Sequence, residues 1–208
     1  MRVLMFDIDT LRSDHLSCYG YGRNTSPTID SIAKEGVRFA DYYCPNAPCL
    51  PSRASLITGQ YGIRTGVVGH GGTAADLRLQ GETRHFTDDY SENGLFMQFR
   101  QAGMHTVSFS TFPERHSAWW FNCGFNEMYN VGKRGSESAE DVTPHVLDWL
   151  KRNADKDNWF MHVHFWDPHT PYRAPASFGN PFADEPLPDN WIDDKIFADH
   201  LMHIGPHG

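Results

Sequence analysis

Apolar and polar positions along the chain alternate between two periods. Val3 to Ile8 is a short, nearly continuous apolar run and predicts a buried first strand. Ser26-Pro27 predicts a helix start, because serine can cap and proline suits the first helical position. Ile29, Ile32 and Ala33 give that helix one apolar face, and Gly36 can end it. Val37 to Tyr43 is aromatic and apolar and predicts a strand or an extended segment. A short helix is predicted from about Pro51 to Ile57, with Gly59 as its stop. Leu95, Phe96, Phe99 and Ala102 form the next helical face, closed by Gly103, and Thr106 to Phe109 is strand-like. Asp141 to Arg152 predicts a further helix, with Pro144 near its start and Val146, Leu147 and Leu150 facing inward. Trp159 to Trp166 predicts another strand. Helices and strands thus alternate, which argues for an α/β fold, a mostly parallel sheet sandwiched by helices.

After Asp167 the texture changes. Six prolines fall between Pro168 and Pro188 among acidic and small residues, so 166–208 reads as an irregular, proline-rich segment. Such loops often lie over the strand ends where α/β enzymes bind ligands.

Composition narrows the field. The 208 residues suffice for one α/β domain or part of a larger one. The formal charge of -8, without any basic stripe, argues against nucleic acid as a partner. No stretch approaches the roughly 20 apolar residues of a membrane span. The N-terminus has neither the length nor the cleavage site of a secretory signal. As it stands the chain reads as cytoplasmic, or as periplasmic or secreted if a signal was removed. The four cysteines match neither a zinc ribbon nor a CxxC pair. Cys18, Cys44 and Cys123 read as buried or semi-buried thiols, a Cys18–Cys44 disulfide being the competing reading.

Cys49 is different. It opens the string Cys49-Leu50-Pro51-Ser52-Arg53, a loop feeding a helix. Free backbone N–H groups at a helix start favour an anion. Arg53, four residues on, shares the face of Cys49 and offers a planar cationic fork to a tetrahedral oxyanion. The residues alone imply an anion site with a low-pKa cysteine, and equally a capped helix carrying a surface arginine.

The longer string resembles the sulfatase signature C-x-P-S-R, with Leu56, Thr58 and Gly59 following as in that signature. The resemblance implies an alkaline-phosphatase-like fold and conversion of Cys49 to formylglycine by a formylglycine-generating enzyme. It implies Cys49 as the nucleophile precursor and Arg53 as the residue that holds it and balances charge. One hydroxyl of the hydrated aldehyde attacks sulfur and expels the alcohol. The second drives release of sulfate, an exit that a plain serine lacks.

Two further segments match the family. Asp7-Ile8-Asp9-Thr10-Leu11-Arg12-Ser13-Asp14-His15-Leu16 resembles its first metal-binding string. The match places Asp9 as a ligand of a divalent cation, calcium first, with magnesium or manganese as alternatives, shared with Cys49 as formylglycine. Thr10 stands where many relatives carry a second acid, and Asp7 is the competing ligand. Asp167-Pro168-His169-Thr170-Pro171-Tyr172 resembles the family's D-P-H-x-P-Y, which implies that His169 faces sulfate and protonates the leaving oxygen. His162 and His164 share one strand face and read as satisfied core histidines.

The chain departs from the family where many members have G-K-x-H after a strand. Here Ser108-Phe109-Ser110-Thr111-Phe112-Pro113 stands instead, with Thr111 near the place of the missing lysine. Thr111, His70 and His116 are candidate substrate contacts. No residue pair after Asp167 matches the family's second metal-binding acids; Asp193-Asp194 lacks their glycine context. The chain is therefore expected to be an N-terminal portion, 1–208, of a sulfatase catalytic domain, incomplete at its C-terminus. The expected substrate is a small-molecule or carbohydrate sulfate ester, with Trp119, Trp120, Trp166 and Tyr172 as candidate stacking faces. A phosphonate or phosphate monoester hydrolase of the same superfamily is the alternative enzyme, and a non-catalytic anion- or partner-binding module the alternative class.

Overall fold

Strands β1 (Arg2–Ile8), β2 (His105–Phe109), β3 (Glu127–Tyr129) and β4 (Trp159–Phe165) form one sheet in the order β1-β4-β2-β3, and every pairing is parallel. The computed structural model describes residues 1–77, 92–172 and 174–186, with residues 195 and 198. Residues 1–173 form one compact unit and 174–208 another. In the second unit, 174–186 is irregular apart from a 3-10 turn at Ala176–Phe178. Asp193 and Asp194 lie outside the described residues.

The helices are α1 (Pro27–Glu35), α2 (Cys49–Thr58), α3 (Gly62–Thr65), α4 (Leu95–Gln101), α5 (Phe112–His116) and α6 (Ala139–Asn153). They cover both faces of the sheet. On one face Leu50, Ala54 and Ile57 of α2, Phe96 of α4 and Phe112 of α5 pack with Phe160 and Trp166. On the other, Val142, Val146 and Trp149 of α6 pack against Val107, Phe109, Met161 and Val163. Central β4 is buried along nearly its whole length, the signature of a parallel strand covered twice.

Local chemistry explains most boundaries. Pro27 opens α1 and Gly36 closes it. Ser138 and Asp141 form a capping box at the start of α6. Gly59, at φ 66°, ends α2 in the left-handed conformation that glycine adopts without strain.

Three expectations fail. Residues 37–43 form no strand; Val37, Phe39, Tyr42 and Tyr43 are exposed. Aromatic content raised the strand propensity there, but no neighbouring strand pairs with it among the described residues. Leu147 points outward, because Val142, Val146 and Trp149 already define the buried stripe of α6. Cys44 is exposed, whereas Cys18 and Cys123 are half-buried free thiols as expected, and no Cys18–Cys44 disulfide forms. Helix α2 begins at Cys49 itself, two residues before the predicted start, which sets Cys49 at the helix N-terminus as the sequence implied. Strand β3 and helix α5 carry too few patterned residues to have been foreseen.

Candidate active site

β1 carries Asp7 next to its end, Asp9 directly follows the strand, and α2 aims Arg53 at both. Arg53 Nε donates to Asp7 Oδ2 and Nη2 to Asp7 Oδ1, each at 2.8 Å. Its Nη1 lies 3.0 Å from Asp9 Oδ2. The guanidinium carbon sits 4.4 Å from the ring centre of Phe112, so the cation is held between two carboxylates and an aromatic face. Arg53 and Asp9 are buried. Burial opposes the charge on Asp7, yet the neighbouring His162 imidazole and the charge of Arg53 hold its carboxyl far below the usual range. Burial likewise opposes ionisation of Asp9, but His164, Arg53 and Thr10 bring its pKa down to about 2.

Thr10 adopts φ 62°, a left-handed conformation uncommon for a β-branched residue. Its hydroxyl donates to Asp9 Oδ1 at 2.8 Å. Local strain is thus stored beside the carboxylate it orients.

Cys49 lies one turn before Arg53, and two imidazoles converge on it. His70 Nε2 is 3.2 Å and His116 Nε2 3.9 Å from Sγ, and the two rings lie 4.9 Å apart. Burial and the charge of Asp9 push the Cys49 thiol up to about 11, against the pull of Arg53. The low-pKa cysteine expected from the helix start is therefore absent: burial and a nearby carboxylate outweigh one arginine. Burial, with the charges of His70, Arg115 and Arg53, lowers His116 to about 4, so its ring is neutral near pH 7. Asp9, Arg53 and Cys49 line one cavity of about 330 Å³ with Asp7, Thr10 and Asn46.

His169 follows β4, beside Trp166. Its backbone N–H donates to Trp166 O at 2.6 Å, and its ring meets the Trp166 indole edge-on at 5.6 Å. Among the described residues no hydrogen bond joins it to Cys49. Thr111 is buried, its hydroxyl donating to Glu137 and accepting from the Trp166 indole at 2.9 Å, so it presents no free group to a substrate. Trp166 is itself buried, whereas Trp119 and Tyr172 are exposed.

Sequence reasoning took His162 and His164 for satisfied core residues; both are buried as expected, but their ring nitrogens are not all hydrogen-bonded. His162 Nδ1 bonds Ser108 Oγ at 3.0 Å, but His162 Nε2 and both nitrogens of His164 lack hydrogen-bond partners. They lie 3.5 Å from Asp7 and 3.8 Å from Asp9. The β1–β4 register, which sets Asp7 opposite His164, makes this arrangement; nothing in either strand alone reveals it.

The parallel sheet with helices on both faces, a carboxylate at a strand end and a cysteine–arginine pair on the adjoining helix start has the alkaline-phosphatase-like fold. The chain belongs to the sulfatase family, whose profile matches residues 3–195. The uncharacterized sulfatase YidJ of Escherichia coli strain K12 is 24% identical, over 85% of this chain and 40% of its own length. BT4656, solved in complex with its substrate D-glucosamine-2-N,6-O-disulfate, superposes with TM-score 0.66 at 22% identity over 92% of this chain and 40% of its own. The phosphonate monoester hydrolase of Agrobacterium radiobacter superposes with TM-score 0.63 at 21% identity over 84% of this chain and 42% of its own. The chain thus spans about two fifths of the length of these relatives.

Proposed function

We propose that the chain carries the nucleophile-bearing part of a sulfuric ester hydrolase acting on sulfate monoesters, sulfated sugars foremost. The observation that carries this reading is the convergence of His70 and His116 on Cys49. Two ring nitrogens address one sulfur, more polar partners than a thiol uses well, and a carbon bearing two hydroxyls would employ both. The raised thiol pKa points the same way, because the surroundings of Cys49 do not stabilise a thiolate. Membership of the sulfatase family supports the reaction class.

Cys49 is read as converted to formylglycine by a formylglycine-generating enzyme, and the hydrated aldehyde then supplies an oxygen nucleophile with a second hydroxyl for sulfate release. Around it, neutral His116 can accept a proton at Nε2, and His70 can orient the other hydroxyl. Arg53 keeps a fixed positive charge one turn away, held rigid by Asp7. His169 is the candidate acid for the leaving oxygen.

A divalent cation is part of the proposal, with calcium before magnesium or manganese. Asp9 Oδ2 is buried and makes no hydrogen bond, only the ion-pair contact to Arg53 Nη1 at 3.0 Å, which leaves it lone pairs for a cation. Both oxygens of Asp7 are taken by Arg53, so Asp9 is the better donor. Among the described residues no group of three His, Cys, Asp or Glu is arranged to hold a metal, so these residues supply only part of a shell and no step is derived through it.

The phosphonate or phosphate ester alternative is favoured by one observation, the likeness to the Agrobacterium enzyme. The test pairs the mass of the Cys49 peptide with turnover of an aryl sulfate and an aryl phosphonate by the native protein. Formylglycine with faster sulfate turnover is expected. Faster phosphonate turnover selects the alternative enzyme, and unmodified cysteine with neither activity selects a binding module.

A further inference from the structure

Glu137 is a buried acid that touches neither Cys49 nor Arg53. It closes a turn in which Gly135, at φ 86°, donates its N–H to Glu137 Oε2 at 3.0 Å. Glu137 Oε1 accepts from the Trp166 indole at 2.7 Å and from the Thr111 hydroxyl. A carboxylate is the one side chain that can accept from a hydroxyl, an indole and a backbone N–H together without bringing a donor of its own.

Those two side chains frame the site. Thr111 immediately precedes α5, whose last residue is His116. Trp166 stacks on Phe112 at 5.7 Å and lies 6.1 Å from His116, 4.6 Å from His164 and 5.6 Å from His169, all between ring centres. The same turn grips α5 a second time. Arg115 donates to Arg134 O at 3.5 Å and lies 5.0 Å from the Trp166 ring centre. The fit leaves no slack, for a Cβ on Gly135 would come within 2.6 Å of Arg115 Cδ.

We infer that Glu137 is a positioning residue for the reaction at Cys49, locking Trp166 and the start of α5 so that His116 faces the sulfur. This rests on the hydrolase reading above. It adds a residue that no signature string contains, acting through Trp166, whose ring lies 6.1 Å from His116, and through Thr111 at the start of α5.

The test compares wild-type native protein with Glu137→Gln and Glu137→Ala on an aryl sulfate, at temperatures where circular dichroism shows all three fully folded. Because the bonds from Thr111 and Trp166 both end on Oε1, the glutamine amide oxygen can keep them, whereas alanine keeps none. Glu137→Ala is expected to lower kcat by about tenfold or more with KM within about twofold, and Glu137→Gln to retain most of kcat. An NMR arm independent of turnover reads the contact between the His116 and Trp166 rings, expected in wild type and Glu137→Gln and lost in Glu137→Ala. A Glu137→Ala protein with lowered Tm but wild-type kcat and an intact ring contact overturns the inference. If Glu137→Ala does not fold, Trp166→Phe keeps a ring and removes the indole donor; a fall in kcat is expected, and wild-type kcat overturns the inference. If wild type turns over neither sulfate nor phosphonate, the hydrolase reading fails, and the ring contact alone decides whether Glu137 places His116.

Discussion

Arg53 grips Asp7 through two nitrogens, each 2.8 Å from a different carboxylate oxygen, and reaches Asp9 with the third. One guanidinium therefore organises both acids at the end of β1. Its own burial opposes its charge, but the two carboxylates more than offset this and raise its pKa.

Removing that cation should be costly. Arg53→Ala leaves Asp7 and Asp9 without their shared counter-charge and is expected to destabilise the fold by about 3–5 kcal/mol. Arg53→Lys keeps the charge but cannot span both acids, so a smaller loss is expected. Urea melts of both variants check the order, which should read alanine below lysine below wild type.

Cys49→Ala and Cys49→Ser should both keep the fold, because Cys49 is only partly buried at a helix start. Both are expected to lose turnover. Serine has one hydroxyl and no internal route for sulfate release. Steady-state assays on the native protein check this; sustained wild-type turnover by Cys49→Ser would remove the basis for formylglycine.

Unconverted Cys49 should resist alkylation. With its pKa raised to about 11, on the order of one part in a thousand is thiolate at pH 8. A raised pKa means that reactivity grows with pH up to about 11, well above the range of a free cysteine. Iodoacetamide kinetics followed by peptide mass measure the profile, and a half-maximum near pH 8 would contradict it.

Gly124→Ala should unfold the face beneath α4. The residue has φ 101°, and a Cβ there would come within 2.3 Å of Met97 N. Backbone strain and overpacking together are expected to cost at least about 2 kcal/mol. Thermal melting checks it, and an unchanged Tm would mean that the backbone yields.

The 208-residue polypeptide by itself is expected to associate and to show no sulfatase turnover. β1 pairs on one side only among the described residues, and Leu4 and Phe6 on it are 41% and 50% exposed. An uncovered apolar edge strand recruits further chains. Sedimentation should show oligomers that Phe6→Lys reduces, and a monomeric, active polypeptide would refute both parts.

The sequence by itself determined most of the local elements and marked the candidate nucleophile position. Strand β1, helices α1, α2, α4 and α6, and strand β4 follow from apolar period and from capping by Pro27, Gly36 and Gly59, since those signals act within a few residues. The C-x-P-S-R string marked Cys49 and Arg53 through its resemblance to the sulfatase signature, and their four-residue spacing sets both on one helix face. Only the tertiary structure decided what surrounds them. His70 and His116 were minor candidates, yet they are the residues brought to Cys49, because α5 and the segment after α3 pack toward the start of α2. His162 and His164 left the category of satisfied core when parallel pairing set β4 beside β1. Glu137 carried no signal, because its partners Thr111 and Trp166 are 26 and 29 residues away along the chain. Contacts of that separation depend on sheet order and register, which no local pattern encodes.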